Sequence, residues 1–209
     1  MNERDCRSDL SLVYLIMGSD FYGSGGWAKY VKELAYYLAS CAHRVKIICR
    51  MGKIFPVSAG DDATLQNRIR LKRGRASSLY SMMQHLPNPL TVVLGTIRLA
   101  RDIRYEGEFQ KVLHTHDLCS SLLIAFLIGK LFKLPFIVQI HGFPLRGQKI
   151  KLMRTNHLLR SFIWFLIRTW HTIAVKLIKS HSTLVLVNNR EVKYFYESYG
   201  ISSKKLEVV

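Results

Sequence analysis

Four stretches of the 209-residue chain set polar side chains or bare backbone on or just after an apolar run. His114-Thr115-His116-Asp117 follows Val112-Leu113, His141-Gly142-Phe143 follows residues 136–140, and Asn188-Asn189-Arg190-Glu191 follows residues 184–187. Gly23-Ser24-Gly25-Gly26 comes a few residues after the run 12–17. An imidazole both donates and accepts hydrogen bonds near neutral pH, which suits a hydroxyl-rich ligand at His116 and His141. An aspartate beside a histidine, as at Asp117, orients the ring or takes a hydroxyl proton. Gly25 and Gly26 let a ligand approach the backbone closely, and a helix starting there adds free N–H groups and a positive dipole end for an anion. Gly142 and Phe143 complete the turn after His141, with Phe143 as a candidate wall of the site. Asn188 and Glu191 carry two readings: ligand contact, or a helix start that Asn189 caps and Glu191 supports. His114, one step inside its run, reads as a satisfied core histidine.

Other chemistries fit less well. His114 and His116 share a strand face because they are two apart, but with Asp117 and His141 they do not have the spacing of a metal site, and no metal is expected. Gly23-x-Gly25-x-x-Ala28 matches a loose dinucleotide fingerprint. A stretch that includes residues 19–22 nevertheless separates its first glycine from the strand, and Arg50 stands where an acid for the ribose is usual, so an NADP-binding protein is an alternative reading. Glycines serving only as a turn and helix start are another. No Ser-His-Asp order, nucleophile elbow or phosphate P-loop is present.

The elements that must position these residues alternate. Residues 12–17 read as a strand buried on both faces, and Val31, Leu34, Ala35 and Leu38 have helical spacing. Strands follow at 44–49 and 68–73 around an irregular excursion at 51–67 that contains Pro56, then a helix at 90–104 in which Arg98, Arg101 and Arg104 share a solvated face. Strands at 111–114, 136–140, 183–187 and 206–209 alternate with helices at 120–132, 153–180 and 190–199, the last stopped by Gly200. Strand, helix, strand in this order predicts a doubly wound, mainly parallel α/β sheet of Rossmann-like type, with the ligand at the strand ends that carry Gly25, His116 and His141.

With 49% hydrophobic residues the chain can bury a core as one domain, residues 1–209, without disulfides. Its four cysteines show no paired spacing, so a reducing cytoplasm is the expected setting. The start of the chain lacks signal-peptide order, and the longest uninterrupted apolar run, 122–128, is too short to span a bilayer. A net charge of +17 implies attraction to phosphates at a membrane surface, a nucleic acid or a nucleotide. No nucleic-acid motif accompanies it, and no nucleic-acid partner is expected; a basic, non-catalytic phosphate- or nucleic-acid-binding domain is the alternative class.

Four local patterns recur in one order. Gly25-Gly26 precedes Tyr30-Val31-x-Glu33-Leu34-Ala35-x-x-Leu38 and Ala42-His43-x-Val45; then come His114-Thr115-His116-Asp117, Pro135-Phe136-Ile137-Val138 with His141-Gly142-Phe143, and Val185-x-Val187 with Tyr199-Gly200-Ile201 before Leu206-Glu207-Val208-Val209. Together they resemble the N-terminal half of a family 4 glycosyltransferase of the two-domain GT-B type, over nearly the whole chain. Ala42 departs from the glycine usual before His43. The resemblance implies retaining transfer from a nucleotide-sugar, a co-substrate rather than a cofactor, to a saccharide or lipid-linked acceptor, as in polysaccharide biosynthesis. It implies that His141 hydrogen-bonds the transferring sugar, that Gly25 and Gly26 approach the leaving phosphate or acceptor oxygen, and that a small polar residue near Asn188 contacts ligand. In that family the final strand runs into a Pro-Asn-Gly turn and a second, donor-binding domain. That domain is absent from residues 1–209, so the expectation is a fragment or split enzyme with a separately encoded C-terminal domain and little transfer alone.

In the long helix, Leu159, Ile163, Leu166, Trp170, Ile173 and Leu177 form a stripe suited to packing on the sheet. His157, Arg160, Trp164, Arg168, His171, Val175 and Lys179 lie on the other side, and no acid occurs from 153 to 180. This predicts either a face for the second domain or contact of Arg160, Trp164 and Arg168 with anionic lipid, a peripheral place on the inner face of the cell membrane.

Overall fold

The computed structural model describes residues 11–17, 26–41, 43–48, 53–58, 86–141 and 157–209. The elements run β1 (Ser11–Ile16), α1 (Gly26–Ser40), β2 (Arg44–Ile48), β3 (Ile54–Val57), α2 (Pro89–Tyr105), β4 (Gln110–Thr115), α3 (Ser120–Phe132), β5 (Phe136–Ile140), α4 (His157–His181), β6 (Leu184–Val187), α5 (Arg190–Ser198) and, after one 3-10 turn, β7 (Leu206–Val208). They form one seven-stranded sheet in the order β3-β2-β1-β4-β5-β6-β7, parallel except for the β2–β3 pair. This is the doubly wound α/β fold that the alternation predicts.

Local chemistry sets the element ends. Asn88 caps α2, its side chain accepting from the Thr91 N–H at 3.1 Å, and Pro89 occupies the first helical position, where its missing N–H costs nothing. Asn189 caps α5 in the same way through Val192 N–H at 2.9 Å, which favours the capping reading of that stretch. Gly200 ends the α5 segment at φ +84°, a left-handed conformation suited to glycine. At Gly129 in α3 a Cβ would stand 3.1 Å from the Phe136 ring and 3.2 Å from the Leu134 carbonyl oxygen, so the bare residue lets α3 lie close to the start of β5.

Right-handed crossovers decide the two faces. The β1-α1-β2 unit steps toward β3, whereas β4-α3-β5, β5-α4-β6 and β6-α5-β7 step the other way, so α1 covers one face and the later helices cover the other. The core divides accordingly. Val13, Leu15, Met17, Val45 and Ile47 pack with Val31 and Ala35 of α1. Leu12, Tyr14, Leu113, Val138 and Val185 belong to a larger cluster with Leu99, Leu122, Ala174 and Tyr196 from the other helices.

Three expectations change. The excursion at 51–67 contains β3, an antiparallel edge strand in which Pro56 is tolerated because only one side of the strand is paired. The buried stripe of α4 is Ile163, Ile167, His171, Ala174, Val175 and Ile178, rotated from the expected one, and Ile173 is exposed. The cause is α5: His171 meets Tyr196, Nε2 to Oη 3.4 Å, and packs by Phe195 and Tyr199, so α4 is covered by α5 as well as by the sheet. Finally, Ser161–His181 is long and apolar enough to cross a membrane by length and composition, although no uninterrupted apolar run is. The expected strand at 68–73 lies outside the described residues.

Candidate functional site

Strand order reverses between β1 and β4, and in open parallel sheets the crevice outside the carboxyl ends at such a point is where ligands bind. β4 is locked to β1 up to that edge, the His116 N–H donating to the Ile16 carbonyl at 3.3 Å. α1 begins beside it at Gly26. Because β1, β4, β5 and β6 are parallel neighbours, Gly26, His116, Asp117, His141 and Asn188 all lie at this one edge. Gly25, Gly142 and Phe143 lie outside the described residues.

Three imidazoles form a row from the sheet to the edge. His114 and His116 project from the α1 face of β4 and stack with ring centroids 4.3 Å apart, and His141 at the end of β5 stacks on His116 at 5.9 Å. Tyr30, in the second turn of α1, meets His116 and His141 edge-on at 6.2 Å and 5.7 Å. His114 and His116 are buried while His141 is exposed. Both ring nitrogens of His116, Nε2 of His114 and Oε1 of the buried Gln139 have no hydrogen-bond partner among the described residues. His114 is buried as its place in the run suggests, but among the described residues only one side of its ring, toward Gln139, finds a partner.

Burial keeps this row neutral. It lowers His114 to about 4, against a hydrogen bond to Gln139 that opposes the shift, and His141 adds a smaller repulsion. His116 falls well below the ordinary histidine value, chiefly by burial and then through its two histidine neighbours. The crowding around the exposed His141 ring lowers it too, while the Asp117 charge pulls the other way. A neutral imidazole offers one donor and one acceptor to hydroxyls, and positive charge at the row is disfavoured.

Asp117 is built into the β4–α3 turn. Its Oδ1 accepts the Cys119 N–H at 2.7 Å, Thr115 Oγ1 donates to Ser121 Oγ at 2.6 Å, and Ser121 Oγ donates on to the Asp117 carbonyl at 3.1 Å. Burial, and then the Asp117 charge, push the Cys119 thiol well up, which suppresses a thiolate nucleophile here. Among the described residues no three His, Cys, Asp or Glu converge as metal ligands, and the histidines meet ring on ring. Asn188 and Glu191 are both exposed, at the end of β6 and in the first turn of α5.

Of the candidate membrane-contact residues, Arg168 is exposed, whereas Trp164 is half-buried against Ile163 and Ile167. The side chain of Arg160 lies outside the described residues. Sequence reasoning missed Tyr30 and Gln139. Gln139 had a signal, a lone amide within the apolar strand Phe136-Ile137-Val138-Gln139-Ile140; Tyr30 had none, because its role depends on which side of α1 meets the edge.

A family model described as a glycosyl transferase 4-like domain matches residues 25–209. No curated protein gives a significant match.

Proposed function

The chain belongs to the glycosyl transferase 4-like family, and from that premise we propose that its sheet edge carries out retaining transfer of a sugar from a nucleotide-sugar to a saccharide acceptor, free or lipid-linked. The observation that carries this reading is the row of neutral, partly unpartnered imidazoles at the switch point. Buried polar groups left without partners are costly, and a hydroxyl-rich ligand supplies the partners.

The roles follow from charge. Sugar transfer builds positive character on the ring and negative charge on the leaving phosphate. The N-terminus of α1, which begins at Gly26, meets the negative end through backbone N–H groups and needs no ionisable side chain; Gly25 precedes it in sequence and is assigned the same role. His141 donates to or accepts from a hydroxyl of the transferring sugar. Behind it His116 fixes the ring plane by stacking, and Tyr30 closes the α1 side. Asp117 is the carboxylate whose charge reaches His141, and it takes the acceptor hydroxyl's proton. Asn188 and Glu191 extend the binding wall along the same edge, and Gly142 and Phe143, the next residues in sequence after His141, are the remaining candidates for it. No metal or cofactor has a role in this scheme. Neither an NADP-binding protein nor a nucleic-acid binder accounts for the family match.

Saturation-transfer NMR with a panel of nucleotide-sugars and saccharides tests the reading. Signal on ligand sugar protons is expected for the 209-residue chain, with affinity at least about 10-fold weaker in His141→Ala, the worth of one well-placed hydrogen bond. No transfer to any panel member, or unchanged affinity in His141→Ala and His116→Ala, overturns it.

A further inference from the structure

The helices on the face away from α1 have an outer surface that a water-facing layer does not need. α2 exposes Leu90, Val93 and Ile97 at 52–56%, and α4 exposes Phe162 and Phe165 at 61% and 64% and Ile173 at 44%. α3, packed between them, exposes Leu127 and Leu131. Cations interleave with these apolar side chains: Arg101 and Arg104 on α2, Lys130 at the end of α3, Arg168 and Lys176 on α4, all exposed.

Among the described residues, acids are missing from that surface. Neither α3 nor α4 contains one, and the single acid within α2, Asp102, turns inward to Lys46 and Tyr14. α5, beyond this layer, carries Glu191 and Glu197 among its bases, so the asymmetry belongs to the layer rather than to the whole chain. A solvated helix face usually mixes both signs; bases with exposed aromatics and no acids describe a helix lying in a bilayer interface.

Contacts place this surface next to the sheet's carboxyl edge. The Asn88 N–H donates to Ser120 Oγ at 2.9 Å, joining the starts of α2 and α3, and the Trp170 indole N–H donates to the Leu118 carbonyl at 2.6 Å, holding α4 to the turn after Asp117. Leu86, just before α2, packs on Ile163 and Ile167 of α4. The exposed apolar residues of α2 and the two phenylalanines of α4 therefore sit in the helix halves nearest the site. Although Ser161–His181 has the length of a membrane span, its stripe from Ile163 to Ile178 is buried in protein, which leaves only the outer face for lipid.

We propose that the outer surface of α2, α3 and α4 docks on an anionic bilayer, with Phe162 and Phe165 entering the interface and Arg168, Lys176 and their neighbours meeting lipid phosphates. Charge complementarity selects the occupant: a surface of bases without acids matches anionic headgroups, and its exposed aromatics match the acyl boundary. The inference stands on the surface alone and does not depend on the sugar chemistry.

Vesicle co-sedimentation of the 209-residue chain tests it. Binding to phosphatidylglycerol–phosphatidylcholine vesicles is expected and binding to pure phosphatidylcholine is not. Attachment should fall when ionic strength rises from about 0.1 M to about 1 M, which shortens the screening length from about 10 Å to about 3 Å. Arg168→Glu/Lys176→Glu should weaken it by more than about 10-fold, since each cation near the surface contributes roughly 5-fold. Phe162→Ser/Phe165→Ser should weaken it at any salt, whereas Arg190→Glu/Lys204→Glu, outside the layer, should leave it intact. Circular dichroism confirms that each variant is folded. No binding, equal binding to neutral vesicles, or full binding by both layer variants overturns the proposal, as does dimerisation through this surface in place of vesicle binding.

Discussion

The two faces of the sheet each carry a polar cluster, and the two are finished differently. On the α2 face the Tyr14 hydroxyl donates to Asp102 Oδ2 at 2.7 Å, Lys46 Nζ donates to both Asp102 oxygens at 2.8 and 2.7 Å and also reaches Glu106, and Arg44 meets Glu106 at 3.4 Å. Burial alone would lower the Lys46 ammonium, but its bonds to the two carboxylates outweigh that and hold it above the ordinary lysine value. Burial, then Asp102, raises the Tyr14 hydroxyl, so it stays a donor. On the α1 face the imidazole row ends in nitrogens with no protein partner among the described residues. Polar groups closed on one another hold a fold together, and groups without a protein partner are the ones that a ligand can satisfy.

Substitutions that separate binding from stability break or sharpen this contrast. The largest effect is expected at the open row: with a donor-binding domain supplied, His141→Ala should cut sugar transfer by about 100-fold, the worth of a positioned acid–base or hydrogen-bonding group, while the melting temperature holds because the ring is exposed. Equal losses of rate and stability would place His141 with the structural cluster. At the closed cluster, Lys46→Met strands Asp102 and Glu106 and should cost about 2–3 kcal/mol by urea titration, with saccharide affinity unchanged.

The pH dependence comes next. His114 has a folded-state value near 4 against an ordinary 6.5, so the unfolded chain binds more protons between those values and stability falls as pH drops through that window. Its share is about 2 kcal/mol lost between pH 7 and pH 5, and His116 acts in the same direction. Thermal melts of wild type and His114→Gln over that range should diverge toward acid, the variant being flatter. The smallest effect is expected for His116→Leu. Replacing a ring with two unpartnered nitrogens by an apolar side chain should move stability by less than about 1 kcal/mol, while saccharide affinity drops. A large destabilisation there would mean that the row is closed after all.

Local signals made much of this legible from sequence. α3 and β5 fall on their expected residues, because Ser120–Phe132 is bounded by turn chemistry and Phe136–Ile140 follows a proline break. The edge position of His116 and His141 was legible as well, since parallel strands end their apolar runs at one side of a sheet. The α4 face was not. Helical periodicity there supports two neighbouring stripes, and the choice depends on α5 arriving to cover His171, a tertiary fact. β3 was hidden by Pro56, which argues against a central strand and says nothing of an edge. The openness of His114 could not be read either, because satisfaction of a buried nitrogen depends on neighbours from other strands.

The bond from the Trp170 indole to the Leu118 carbonyl gives the protein an optical probe of its own. Leu118 follows Asp117 directly, so a ligand that shifts the turn lengthens or tightens that bond, and indole emission wavelength follows the hydrogen bonding of its N–H. The chain has three tryptophans, Trp27, Trp164 and Trp170. Phenylalanine at the first two leaves a single fluorophore whose colour reports occupancy of the sheet edge, with no label attached and no turnover required.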